Sequence, residues 1–447
     1  MCKFFAVICT SIFLLFSTFN LNAFEIIRDV ELENYTKKIT SLLLKNTELD
    51  ADDINYYFIK SNEVNAFVTG GKNLFLNTEL ILTSNDYREY LAVIAHELSH
   101  ILGGHIFRTS EEISRLSQRA FPVHLLSIIA LLGGSADAGL AGLMIGSASV
   151  QDGYTYYSRN QEASADQAAI KLLCNNQINA YYFLDFLNKL ERISSNYGEE
   201  TSYRSTHPLI SARSNWITSG LKKYPGCDYN QDVDLQNDFD LLKAKLFGFT
   251  HPKRETLEVY KTGSDIDKYA RAVTKYFAGE HKNSIRLLKE LINDNKSNPY
   301  FKELLGEIYF SKQEYHLAIK YQLESMSLFD KPSELYLMMM GNYYIALDEA
   351  KSYNTSIKYL KESLIINPEN SYSWYLLAKA YAGVDNIPLA QYASAERYYL
   401  IKEHKLAYQF ALKSIKNIQK NTPEWYRTND LLNIMGISNN KEDKKTN

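Results

Sequence analysis

One apolar stretch interrupted by three ionisable side chains sets the tightest limit on how this chain can fold. Tyr90-Leu91-Ala92-Val93-Ile94-Ala95 leads directly into His96-Glu97-Leu98-Ser99-His100 and on to Ile101 and Leu102. The pattern predicts a largely buried helix. Burying two imidazoles and a carboxylate in it is costly unless they are paired or bound to a metal. Residues four apart on a helix differ by about 40° around its axis, so His96 and His100 point the same way and can share one ion. Glu97 lies beside that ion without having to bind it. This is the HExxH arrangement, in which a hydrolytic zinc lowers the pKa of its water to roughly 7 and the carboxylate takes the proton during attack. Glu97 is the candidate base. The bare pattern also occurs in helices that never meet a metal, and it is the apolar flanks that argue against a solvated face.

Such a site needs a third ligand. The pattern HExxHxxGxxH would place histidine at position 106, but that residue is Ile106 and His105 falls one place early. His105 therefore reads as a surface or supporting residue. Glu162 is the better candidate, in Asn160-Gln161-Glu162-Ala163-Ser164-Ala165-Asp166 on a helix that continues through Leu173. Glu162 and Asp166 share a face, so Glu162 can bind zinc while Asp166 accepts the proton on the second nitrogen of a ligand histidine. The expected cofactor is one zinc ion on His96, His100 and Glu162.

Together with Asn65-Ala66-Phe67, Gly70-Gly71, Ser205-Thr206-His207-Pro208 and Arg213, these residues resemble the metallopeptidase family that includes HtpX and the CAAX prenyl protease. Within it, the likeness is to the periplasmic type with a C-terminal tetratricopeptide domain, over nearly the whole chain after its leader. The resemblance implies a zincin-like α+β domain with a small sheet, followed by an all-α solenoid, so a mainly α protein. It also places the His207 segment and Arg213 near the catalytic centre. There they would help stabilise the oxyanion, or His207 would bind zinc in a resting state and displace water; a plain turn residue is the bland reading of His207. Outer-membrane protein quality control is the implied role, with unfolded or misassembled polypeptides as substrates and the barrel assembly machinery as a partner of the solenoid.

Lys3, the apolar run from Phe4 to Phe19 and then Leu21-Asn22-Ala23 read as a secretory signal peptide cleaved after Ala23. An uncleaved anchor is the alternative, because Leu21 is large for the −3 position. Cleavage leaves Cys174 and Cys227, a pair that suggests a disulfide in an oxidising compartment, against two free buried thiols. A net charge of −3 gives no reason to expect nucleic acid or anionic membrane as a partner.

At 447 residues the chain exceeds the usual limit of a single core. The expected organisation is a metallopeptidase domain over 24–227, a connecting segment over 228–263, a repeat domain over 264–435 and a disordered tail over 436–447. An opening helix carries Ile39, Leu42, Leu43 and Leu44 inward. Tyr57-Phe58-Ile59, Ala66-Phe67-Val68 and Leu74-Phe75-Leu76 read as a small antiparallel sheet. Asn65-Ala66-Phe67 fits an edge that holds substrate as an added strand, and equally a core strand ending in a turn. The apolar section over 121–150, broken by Asp137, is too short in either half to span a bilayer. It reads as a helical hairpin that packs in the core, covers the cleft or touches a membrane, with His124 as a core residue.

Downstream, Leu305-Gly306, Tyr309 and Ala318 recur as Leu377-Ala378, Tyr381 and Ala390, with Gly341 and Ser356, Ala272 and Ser284, and Ala395 and Ala407 as further copies. Small residues at that offset, in a repeat of about 34 residues, mark tetratricopeptide helix pairs. The reading is thus a secreted zinc endopeptidase joined to a solenoid. Its rival is a chaperone-like adaptor whose metal site is latent or structural, against which an intact Glu97 argues.

Overall fold

The computed structural model describes residues 25–70, 72–104, 159–197, 207, 210–229 and 232–442. The leader, His105, the section over 121–150 with His124, Ser205-Thr206 and Pro208 lie outside the described residues. The chain forms two compact units, one of residues through Arg28 with Leu32–Lys243, the other of Asp29–Glu31 with Ala244 onward. No helix among the described residues is long and apolar enough to cross a membrane.

The first unit opens with β1 (Glu25–Ile27) and α1 (Val30–Leu44), on which Ile39 and Leu43 are buried and Leu42 is only half-buried. Three further strands follow, β2 (Asn55–Lys60), β3 (Ala66–Thr69) and β4 (Asn73–Asn77), giving a sheet of order β1-β2-β4-β3. The sheet is mixed, a correction to the antiparallel expectation. A short turn makes β3 and β4 an antiparallel hairpin, with Lys72 at φ 60° and Asn73 Nδ2 donating to Gly70 O at 2.7 Å. It is the returning strand β4, and not β3, that pairs with β2, so that pair runs parallel. Strand β3 is left at the sheet's edge.

After α2 (Thr78–Thr83), α3 (Tyr87–Leu102) is started by the Asp86 carboxylate, which accepts from Arg88 N, and is buried from Tyr87 through His100. It packs on β3 and against α4 (Arg159–Asn175) and α5 (Tyr181–Tyr197), and α6 (Ile210–Leu221) packs on α4 and α5. A side chain at Gly220 would come within 2.7 Å of Ile170 Cδ1, so glycine permits that close approach of α6 to α4. A disulfide joins Cys174 at the end of α4 to Cys227, 53 residues on.

Within the polar segment 228–263 the amphipathic piece Phe239–Leu246 suits a connecting helix, and the structure has it inside α7 (Val233–Thr250), followed by α8 (Lys253–Val259), with the boundary between the units falling inside α7. Phe239 and Leu242, buried in the first unit, and Ala244 and Leu246, buried in the second, are the reason. Few apolar residues suffice when each one is buried.

The second unit is helical throughout: α9 (Asp265–Phe277), α10 (His281–Asp294), α11 (Pro299–Ser311), α12 (Tyr315–Met326), α13 (Glu334–Ala346), α14 (Ala350–Ile366), α15 (Ser371–Gly383), α16 (Ile387–Leu400), α17 (His404–Ile415) and α18 (Pro423–Glu442). Helix α18 therefore runs into the stretch expected as a tail. The small residues read from the repeat sit where paired helices cross. Ser284 Oγ donates to Ala272 O and Ser356 Oγ to Gly341 O, both at 2.7 Å, and a side chain at Gly306 would lie 3.1 Å from Ala318 O.

No repeat pattern announces what lies at the start of this unit. Lys245 reaches Asp29 at 2.6 Å, Glu31 at 3.2 Å and Glu303 at 4.0 Å. Tyr269 donates to Glu31 at 2.8 Å and Tyr336 to Glu303 at 3.1 Å. Burial, helped by the neighbouring carboxylates and opposed by Lys245, pushes Glu31 up to about 7 and Glu303 up to about 8, and burial also raises Glu307. These groups thus hold protons more tightly folded than unfolded, where 4.5 is their ordinary value. Stability from them is complete below about pH 4.5 and declines as pH rises through about 7 to 8. Protection factors for α9 and α11 amides, from hydrogen exchange corrected for intrinsic rates, should fall between pH 5 and pH 8.5. Lys245→Met should lower the opening free energies they report by about 1–3 kcal/mol near neutrality, because the carboxylates lose their cation. Protection that is flat with pH would refute this account.

Candidate metal and catalytic centre

Three helices and one isolated residue bring the site together. Helix α3 supplies His96, Glu97 and His100 from consecutive turns, α4 supplies Glu162 and Asp166 one turn apart, and α6 supplies Arg213. His207 completes it. All seven side chains are buried.

The donor atoms of His96, His100, Glu162 and His207 all lie within 4.8 Å of one another. His96 Nε2 is 3.1 Å from His100 Nε2, 3.3 Å from His207 Nδ1 and 3.5 Å from Glu162 Oε2. His100 Nε2 is 3.3 Å from Glu162 Oε1, and His207 Nδ1 is 3.2 Å from both Glu162 oxygens. Ligands about 2.0–2.1 Å from a tetrahedral zinc stand about 3.3 Å apart, close to the separations just given for the donor pairs involving His96 or Glu162. The carboxylate of Glu97 fits the same picture. Both oxygens are buried without an aligned hydrogen bond from a described residue, although His207 Nε2 comes within 3.2 Å of Oε1.

Behind the donors, Asp166 Oδ1 is 2.9 Å from His96 Nδ1, which directs His96 Nε2 toward the other donors. Arg213 holds Asp166 by two bonds, Nε to Oδ2 at 3.1 Å and Nη2 to Oδ1 at 2.8 Å, and its Nη1 is 3.4 Å from Glu162 Oε2. Its guanidinium is thus turned onto carboxylates, where the resemblance had offered it for an oxyanion.

Electrostatics follow from burial and this pairing. Burial pushes His100 down to about 4. Burial would also raise Glu162 and Asp166, but His207 and Arg213 outweigh it at Glu162, and Arg213 and His96 at Asp166, so both carboxyls are held below their ordinary range. Glu97 is lowered as well, chiefly by His207 against its own burial. Burial acts to depress His207, yet Glu162 and Glu97 outweigh it and lift the imidazole to about 10.

Sequence reasoning named all seven of these residues. It missed the contact between His207 Nε2 and Ala66 O at 3.3 Å, for which no sequence signal exists across 141 residues. Asn65 precedes edge strand β3 and Ala66 and Phe67 begin it, so the strand offered as a substrate edge starts beside the donors.

A buried His/His/Glu/His set next to a buried carboxylate is the arrangement a metallopeptidase needs, and residues 31–219 match the model of peptidase family M48. Over most of its length the chain is similar to the beta-barrel assembly-enhancing protease of Yersinia pestis, at 25% identity over 369 residues that cover 80% of this chain and 74% of the relative. It is likewise similar to the beta-barrel assembly-enhancing protease of Escherichia coli K12, at 23% identity over 384 residues covering 84% and 77%. Among solved structures, MamA aligns with 39% of this chain and 96% of its own at 17% identity, with a TM-score of 0.29.

The geometry generates a test of Asp166. Asp166→Asn keeps the side-chain shape but removes the charge that meets His96 and Arg213. Zinc affinity, measured by chelator competition, should weaken about 10–100-fold in a folded protein. Unchanged affinity would remove Asp166 from the account of the site.

Proposed function

We propose that this chain is a zinc endopeptidase, exported to the periplasm by a leader cleaved after Ala23, that acts on unfolded or misassembled polypeptides during outer-membrane barrel assembly. The repeat domain over 264–435 engages the substrate or the assembly machinery. The observation that carries the catalytic part is the buried tetrad of donors with Glu97 beside it. The names of the relatives support the biological setting, and the apolar leader supports the compartment.

His96, His100 and Glu162 would hold one zinc ion, which when bound supplies Lewis-acid activation of water and of the scissile carbonyl. Glu97 receives the proton of the attacking water and passes it to the leaving amine. Asp166 keeps the His96 proton on Nδ1, so that Nε2 remains a donor. Arg213 is a positioning residue that holds Asp166 and Glu162 together. Substrate lies along β3 as an added strand. In support, Asn77 N donates to Asn65 O at 3.0 Å, and by alternation the N–H and C=O groups of Ala66 and Val68 face the open edge.

Glu97→Gln should retain near-stoichiometric zinc and lose hydrolysis by several orders of magnitude, whereas His96→Ala should lose both. A Gln variant that cleaves unfolded barrel proteins as fast as the wild type would end the base assignment. One that loses cleavage yet still supports barrel assembly fully would favour the adaptor reading.

His207 acts as a resting-state switch. Its Nδ1 lies among the other donors and its Nε2 3.3 Å from Ala66 O, so with a metal bound it would take the place of water and cover part of the substrate edge. Activity then follows the fraction of molecules in which it has moved, and a bias of about 1.4 kcal/mol toward the closed form leaves roughly tenfold less open enzyme. His207→Ala should raise basal proteolysis at matched zinc occupancy. A lower rate would instead assign the imidazole to oxyanion stabilisation.

A further inference from the structure

We propose that Phe67 sets a substrate preference, so that the residue of a bound strand lying across from it is aromatic. The inference rests on the reading of β3 as the substrate edge and deepens it. Tyr57 of β2 is the register partner of Phe75 of β4, which is the register partner of Phe67 of β3. Their rings stack in that order. Both centroid separations are 4.8 Å, with interplanar angles of 16° for Tyr57–Phe75 and 8° for Phe67–Phe75. This ladder crosses three strands at right angles to the chain, and its repeat matches the spacing of about 4.7–4.9 Å between neighbouring strands. Phe75 is closed off in the middle at 1% exposure, and Phe67 is half-buried at the edge.

The hydrogen-bond register fixes what comes next. The pairs that bond to β4 fall at Asn65, Phe67 and Thr69, so Phe67 turns its own N–H and C=O inward. An antiparallel strand added at Ala66 and Val68 therefore meets Phe67 in a non-hydrogen-bonded pair. In such pairs the Cα atoms approach to about 4.5 Å and the side chains are closest. A ring there becomes the fourth rung, stacked at the same repeat. An aliphatic side chain buries area but does not stack, and a carboxylate would be desolvated against a ring face. The favoured ligand is thus an extended segment with Phe, Tyr or Trp at one position, and the subsite stands at a fixed distance from the scissile bond because β3 starts beside the donors.

The test uses the mature enzyme and unstructured peptides that differ only in one residue, Phe, Tyr, Leu, Ala or Asp, scanned along the segment. One position should favour Phe and Tyr over Leu by about two- to tenfold in kcat/KM, mostly through KM. Phe67→Leu should bring that ratio toward one at this position alone, and Phe67→Trp should restore it. Peptides N-methylated at single amides separate the two layers of the argument. Methylation at the amides facing Ala66 and Val68 should abolish cleavage, and methylation at alternating amides should not. If no methylation matters, the substrate-strand reading fails. If methylation acts as stated but no position prefers a ring, or the preference survives Phe67→Leu, the ladder is not a subsite.

Discussion

The centre depends on one buried carboxylate that answers two partners at once. Asp166 meets His96 Nδ1 at 2.9 Å and takes two bonds from Arg213, linking α3, α4 and α6 through charge. Each of these groups would be expensive to bury alone, and each removes the cost of another. Arg213 neutralises Asp166, and Asp166 fixes His96, so the face of α3 that carries the motif has a single orientation. Glu162 shares the helix with Asp166 and the cation with it as well, so the ligand carboxylate is placed by the same ties.

That rigidity meets an edge. Among the described residues the mixed sheet leaves β3 unpaired on one side, and α3 packs on that strand. A sheet edge exposes backbone groups in a fixed array and is ready to accept another chain. Here the array begins at Ala66, whose carbonyl lies 3.3 Å from His207 Nε2. One imidazole therefore touches the other donors through Nδ1 and the first residue of the edge strand through Nε2.

The helical unit solves a different problem. Its paired helices cross on small residues, and hydroxyls such as Ser284 and Ser356 return to carbonyls of the preceding helix at the crossing. Against that regular background, half-buried Lys245 and Asp29 stand with buried Glu31 and Glu303, a set with more acid than base. Burial holds Glu31 and Glu303 above the ordinary carboxylate range, which ties the packing around Glu31 to the proton concentration around the protein.

What could be read from the residues alone was whatever repeats locally. The HExxH pair and the Glu162–Asp166 pair are each one helical turn, so their spacing already states that they share a face. The helix pairs of the second unit follow from small residues at a constant offset. Cys174 and Cys227 were legible only as a pair left over. The order of the strands was not legible, because the choice of β4 over β3 as partner of β2 is made by packing among strands of similar composition. The amphipathic pattern of Phe239–Leu246 marked a helix there, but not that the two units divide within it. The Lys245 cluster and the contact of His207 with Ala66 join residues far apart in the chain, and charge or spacing in a sequence carries no record of which distant groups will be desolvated together. Local periodicity determined which donor and acid–base groups share a helix face; tertiary packing alone decided that His207 joins the other three donors, that β3 is the edge of the sheet among the described residues and that the rings of Tyr57, Phe75 and Phe67 line up across it.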